Sequence, residues 1–347
     1  MDAKIIRIRK GDDFHCHLRQ GDILKKVLPF TTRHFSRAVA MPNTLPAIVT
    51  GDDAVRYREE IMAACDNGFR PIMSIMLTKN TTPQIIREAA AKGVTVLKYI
   101  PKGVSTNSDE SVSLEDLPDF YPVLQAVQEY RMVFSGHWES LYDTDGDELP
   151  EIKREEAAIP FLKRLVRQFS GLKIVVEHAS TYRMIEYVKQ CPANVAATLT
   201  IHHAILSYDD VCNESGEVYS PHHYCKPIAK SYFDKRAVIA AMVSGNPKFF
   251  FGSDSAPHIA SAKQKKQPAA GIFSKPVALS LLARMFQGCG TREGLENFYS
   301  KFGADHYGLP YNKDTISLVP EEWTVPQDYN GFVPLLAGMT LHWKVVD

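Results

Sequence analysis

The chain has 347 residues, 45% of them hydrophobic and 23% charged, which supplies enough apolar surface for a large core and argues against disorder. Lysine plus arginine and aspartate plus glutamate each number 40, so the formal charge is zero, and nothing favours a nucleic acid, an anionic membrane or another strongly charged macromolecule as partner. The length suits a single α/β barrel, and one domain over residues 1–347 acting on a small molecule is the expectation.

Residues 1–10 alternate basic and aliphatic side chains and read as a strand, with no apolar run long enough for a signal peptide or a membrane span. Beyond them, short β-branched or apolar runs alternate with segments of helical period. The runs are 13–17, 37–41, 71–77, 94–99, 132–134, 173–177, 195–199 and 248–252. Helices are expected at 52–65, 83–92, 155–169, 181–190, 234–243 and 276–286. In 155–169, for example, Leu162, Leu165, Val166 and Phe169 recur at three- and four-residue spacing while Lys163, Arg164 and Arg167 fall between them. Eight strands alternating with helices is the pattern that closes a TIM (β/α)8 barrel. Two insertions, 102–118 and 207–231, interrupt it, and loops of that length in a compact domain are usually lids or binding loops. The six cysteines (16, 65, 191, 212, 225 and 289) are scattered without a Cys-x-x-Cys pair, which points to reduced thiols and a cytoplasmic location.

Chemistry-bearing residues stand where the strands end. His15 and His17 close the first barrel strand, Asn43 follows the second, Lys98 ends the fourth, His137 follows the fifth, His178 the sixth and Asp254 the eighth. The C-terminal strand ends of such a barrel converge on one mouth, so these side chains meet although they are far apart in sequence. The spacing of His15 and His17 puts two imidazoles on one side of a strand. Taken alone, that pair is equally well read as polar residues at a strand end, and His137 or His178 as a packed core histidine. Asp254 follows three phenylalanines into a turn, where a buried carboxylate needs a partner such as a cation. Lys98, with an ordinary pKa of about 10.4, cannot ligate a metal as an ammonium. If its amine loses a proton and adds carbon dioxide, however, the carbamate can bridge two cations as a carboxylate does. His34, His306 and His342 lie away from the strand ends and read as surface or packing residues. His202 and His203, and more so His222, are candidates for supporting the pocket wall.

Together, His15-x-His17-x-Arg19, Asn43, Lys98, His137, His178 and Asp254-Ser-Ala-Pro-His258 resemble the amidohydrolase superfamily. End to end, from residues 12–19 to 332–338, the chain resembles the dihydroorotase family of the shorter, bacterial type. The resemblance implies two Zn2+ ions per subunit, other divalent ions being possible. His15, His17, Lys98 and Asp254 would hold one ion, and His137, His178 and Lys98 as N6-carboxylysine the other. It implies interconversion of N-carbamoyl-L-aspartate and L-dihydroorotate in de novo pyrimidine biosynthesis, by a hydroxide bridging the metals with Asp254 as general acid and base. It also implies a homodimer. Arg19 offers planar two-point geometry for the substrate's carboxylate. Asn43 and His258 match positions that help hold that carboxylate, Lys226 and Ala270 match main-chain contacts, and Ser105 and Thr106 match the hydroxyl residues of a mobile loop. Lys226 departs from an apolar residue in the family pattern, and Ser105 from a threonine.

A hydantoinase or dihydropyrimidinase would share the two-metal core, but Arg19 suits a substrate with a free carboxylate. A one-metal purine deaminase would have no use for Lys98. A non-catalytic assembly subunit would be expected to have lost ligand positions, and here every one is present.

Overall fold

The computed structural model describes residues 5–65, 67–105 and 107–346. Strand β1 (Ile6–Arg9) lies outside the main sheet, whose eight parallel strands follow in chain order: β2 (Gly11–Cys16), β3 (Phe35–Ala40), β4 (Arg70–Met76), β5 (Val96–Tyr99), β6 (Val133–Gly136), β7 (Lys173–Val176), β8 (Val195–Leu199) and β9 (Phe249–Phe251). Around them run α1 (Gly21–Thr32), α2 (Gly51–Ala63), α3 (Pro83–Ala91), α4 (Tyr121–Glu129), α5 (Arg154–Gln168), α6 (Tyr182–Gln190), α7 (Ile201–Ile205), α8 (Tyr232–Val243), α9 (Ala260–Lys263) and α10 (Lys275–Cys289). Then come α11 (Arg292–Glu296) and α12 (Phe302–Tyr307). The sequence-predicted strands and helices coincide with these elements apart from small shifts at their ends. The fold is a TIM barrel.

The helices begin where hydroxyl side chains can satisfy free N–H groups. Thr50 with Asp53, and Ser231 with Asp234, form reciprocal capping boxes at α2 and α8, and Thr82 and Thr181 cap α3 and α6. Near the C-terminus β10 (Thr315–Val319), β11 (Trp323–Thr324), β12 (Thr340–Leu341) and β13 (Lys344–Val346) follow the last helix. The predicted N-terminal strand is real, but it pairs antiparallel with β10, placing Ile6 opposite Leu318, and forms an outer sheet with β10 and β13.

The barrel closes between β2 and β9. His17 N donates to Ser255 O at 3.2 Å and Asp254 N to His15 O at 2.9 Å. At this seam Asp13, fully buried, accepts from Lys275 Nζ, from Ser253 N at 2.7 Å and from Ser253 Oγ at 2.6 Å. Inside, an apolar layer of Phe14, Val96, Val133, Val175, Ala196 and Phe250 is floored by Tyr307 of α12. Two residues further along four of these strands stand Lys98, Ser135, Glu177 and Thr198, so one strand period converts the packing layer into a polar one. No helix among the described residues is long and apolar enough to cross a membrane.

Candidate metal centre and substrate pocket

Strict alternation along β2 would not let Phe14 share the barrel interior with His15 and His17. The pairing of β2 with β3 shifts register between Asp13 and Cys16, and this irregularity lets Phe14 fill the lower layer while both histidines face the upper one. Alternation along β7 would likewise turn His178 away, because Val175 and Glu177 already point inward. His178 instead has φ +41, as has Asp254. Such left-handed backbone costs on the order of 1–3 kcal/mol in a side-chain-bearing residue. The surrounding bonds hold it: His178 N donates to Thr198 Oγ1 at 2.7 Å.

The resulting cluster is tight. The Nε2 atoms of His15 and His17 lie 3.4 and 3.2 Å from Asp254 Oδ1. The His178 ring centroid is 5.0 Å from that of His15 and 4.6 Å from that of His137. Lys98, 1% exposed, ends in the same layer, and neither its Nζ nor His178 Nδ1 has a hydrogen-bond partner. Buried polar atoms without partners are uncommon, and here they are donor atoms of the kind that bind divalent cations. Burial, aided by neighbouring cations, holds His17 and His178 well below the usual imidazole range, so both are neutral and able to ligate. Burial brings Lys98 down to about 8 against the pull of Glu177 and Asp254, and pushes the Asp254 carboxyl up. The residues therefore fit a metal centre.

Two carboxylates that the sequence reading did not single out orient the ligands. Glu177 Oε2 accepts from His15 Nδ1 at 2.7 Å and from Thr198 Oγ1 at 2.6 Å, and Ser135 Oγ donates to Oε1. Burial pushes Glu177 up, but His15 and Lys98 outweigh it and bring it down to about 2. Glu139 Oε2 pairs with His137 Nε2 at 2.8 Å, leaving Nδ1 for a cation. Each bond fixes which ring nitrogen is free. The available signal was, for Glu177, a carboxylate ending an apolar run beside a candidate ligand and, for Glu139, a carboxylate two residues after one.

Beside the cluster, one pocket gathers His17, Arg19, Asn43, Ser105, Lys226, Asp254, His258 and Ala270. Arg19 Nε donates to Pro257 O at 3.1 Å, and Tyr57 OH donates to Arg19 O at 2.7 Å. His258 Nε2 stands 3.0 Å from both Arg19 Nη2 and Ala270 O, so one tautomer meets the guanidinium and the other the carbonyl. Burial and Arg19 push this imidazole down to about 3. Asn107 Nδ2 donates to Asn43 O at 3.0 Å, anchoring the loop that carries Ser105. Thr106 lies outside the described residues. Ser105, Lys226 and Ala270 also border an outer cleft of about 1220 Å³ that the second insertion helps to line. A separate apolar groove of about 520 Å³, beside Leu45, Met76 and Ile85, carries no histidine, so chemistry rather than size picks out the site.

Of the remaining histidines, His202 is fully buried, with Nε2 4.0 Å from Asp254 Oδ2 and no hydrogen-bond partner on either ring nitrogen. His203 is engaged by Thr200 Oγ1 and Pro227 O, and burial raises the thiol of nearby Cys225. His222 is half-buried, and like His202 and His203 it does not line the pocket itself. His34 is buried, His306 packs against Phe250 beneath the barrel, and His342 is exposed beside Glu322, in keeping with packing and surface roles.

No protein-family profile matches the sequence. A dihydroorotase of Shewanella loihica is 41% identical, over 99% of this chain and 99% of its own length. Among solved structures, Saccharomyces cerevisiae dihydroorotase in complex with 5-fluoroorotic acid is 34% identical with a TM-score of 0.92, covering 99% of both chains. Campylobacter jejuni dihydroorotase is 33% identical with a TM-score of 0.89, covering 100% of this chain and 99% of its own.

Proposed function

The chain belongs to the dihydroorotase family, and from that premise we propose that it interconverts N-carbamoyl-L-aspartate and L-dihydroorotate in pyrimidine biosynthesis, at a centre for two divalent ions, zinc in the first instance. The observation that carries this reading is the buried group of His15, His17, His178 and Asp254 around the unpartnered Lys98 amine, with Arg19 beside it. His15, His17, Lys98 and Asp254 would hold one ion, and His137, His178 and Lys98 the other. Bound ions of this kind supply Lewis acidity and a water-derived nucleophile at neutral pH.

The chain's own groups do the rest. Arg19, Asn43, His258 and the Ala270 main chain orient the carboxylate that does not react, and the Lys226 main chain and Ser105 border the ring. In the hydrolytic direction oxygen from water bonds to the ring carbonyl carbon, the carbon–nitrogen bond breaks, and Asp254 takes the proton and delivers it to the departing nitrogen. Ring closure is the reverse. The neutral amine of Lys98 adds carbon dioxide, forming a nitrogen–carbon bond and releasing a proton, and so becomes N6-carboxylysine. A pKa of about 8 makes that neutral form accessible. The segment 99–108 acts as the lid, with Ser105 and Thr106 as its hydroxyl residues. Residues 1–347 work as one domain, as a homodimer in the cytoplasm, a location that six free cysteines support.

The test is dihydroorotate hydrolysis followed by ultraviolet absorbance, with metal content determined on each protein. Asp254→Ala should lose at least about a thousandfold in kcat, and Arg19→Ala should mainly raise KM. Metal-loaded protein that ignores dihydroorotate but opens hydantoins would refute the substrate and leave the centre standing. Uptake of labelled carbon dioxide onto Lys98 during metal loading checks the carbamate separately.

A further inference from the structure

Lys263, the last residue of α9, is 2% exposed and lies outside the metal centre. Its Nζ donates to Tyr224 O at 2.9 Å, Ala269 O at 2.8 Å and Gly271 O at 2.6 Å, which uses all three ammonium protons. The acceptors come from two loops, the 207–231 insertion and the segment that carries Ala270. With the carbonyls of residues 269 and 271 drawn to the ammonium, the carbonyl of Ala270 is left to face His258 Nε2 at 3.0 Å. His258 in turn meets Arg19 at 3.0 Å.

We propose that Lys263 is a positioning residue for the substrate's carboxylate: by clamping both carbonyls that flank Ala270, its ammonium aims the Ala270 main chain and His258 at the ligand of Arg19. A neutral side chain could not replace three charge-assisted bonds, and a single water has only two protons to donate. The loop has little room to settle elsewhere. A Cβ on Gly271, whose φ is +146, would stand 2.5 Å from Ala256 O, so the segment is pressed against the turn that carries Asp254 and His258. The partners of Lys263 are carbonyls, not a carboxylate, and burial brings its amine down to about 8, with Arg19 adding to the fall. A second buried cation close enough to feel Arg19 suits a pocket whose ligand brings the negative charge.

The inference rests on the carboxylate site proposed above, and the experiment separates the two. Lys263→Met, Lys263→Gln and Arg19→Met are compared with the native protein, metal-loaded, for dihydroorotate KM and kcat, orotate inhibition and metal content. Lys263→Met should raise KM and the orotate inhibition constant about tenfold or more, with kcat within about threefold and metal content unchanged. Lys263→Gln, which keeps two N–H donors, should fall between. If Arg19→Met weakens binding but both Lys263 variants bind normally, this inference fails alone. If Arg19→Met also binds normally, the carboxylate site fails. A loss confined to kcat, or failure of both Lys263 variants to fold, would equally overturn the role, making the residue part of the chemistry or a requirement of folding.

Discussion

Glu177 shows how one side chain can set several ligands. It holds His15 through Nδ1, and it receives the Thr198 hydroxyl that in turn accepts from the main chain of His178. Glu177→Gln keeps the shape but replaces one acceptor oxygen by a donor, which leaves either Ser135 or both His15 and Thr198 mispaired. Metal affinity should fall about 10–100-fold, as for other lost ligand-orienting carboxylates, while activity recovers in large part at saturating metal. Metal retained against graded chelator is the measurement, and a native-like retention curve would exclude the orienting role. His15, His17, Lys98, His137, His178 and Asp254 were legible as candidate ligands because each stands at or just after an apolar run. Glu177 was not, because beside His178 in one strand it reads as the residue facing the other way. Only the left-handed turn at His178 brings both inward.

Among the elements, α5 and α6 are joined by a buried carboxylate. Glu155 accepts from Ser180 N at 2.8 Å and Thr181 N at 2.6 Å, just where the chain leaves His178 and enters α6. Burial raises its pKa from 4.5 to about 6, although Lys230 and the two main-chain bonds oppose the rise. The folded state therefore binds this proton more tightly than the unfolded one. Its contribution to stability is fully present below about pH 4.5 and is lost as pH rises to about 6, a change of about 2 kcal/mol. The difference in unfolding free energy between native protein and Glu155→Gln should drift by about that amount across the window. A difference that stays level from pH 4.5 to 7 would contradict it. The helices themselves were legible from their 3.6-residue period. The insertions were legible only as insertions: the first, rich in serine, asparagine and aspartate, has no period, so nothing in it foretold that Asn107 would tie its loop to Asn43.

The whole barrel depends on joining its first and last strands, 240 residues apart at the Asp13–Ser253 contact. Lys275, 1% exposed, reaches from α10 to Asp13 at that seam. Lys275→Met would leave Asp13 as a buried charge held only by Ser253 and a main-chain N–H, and should destabilise the protein by about 3–5 kcal/mol. Urea denaturation measures it, and a loss under about 1 kcal/mol would mean that the seam does not need the ion pair. By itself the sequence determined the number and order of strands and helices, the barrel they close, and the candidate ligand types at the strand ends, because these follow from local periodicity and from residues whose chemistry has few other uses. Tertiary structure alone decided which neighbours orient those ligands, how Phe14 and His15 both face inward, and which carbonyls Lys263 gathers. Many of these contacts join positions tens to hundreds of residues apart, and the local ones pass through bulges and turns that alternation cannot foresee.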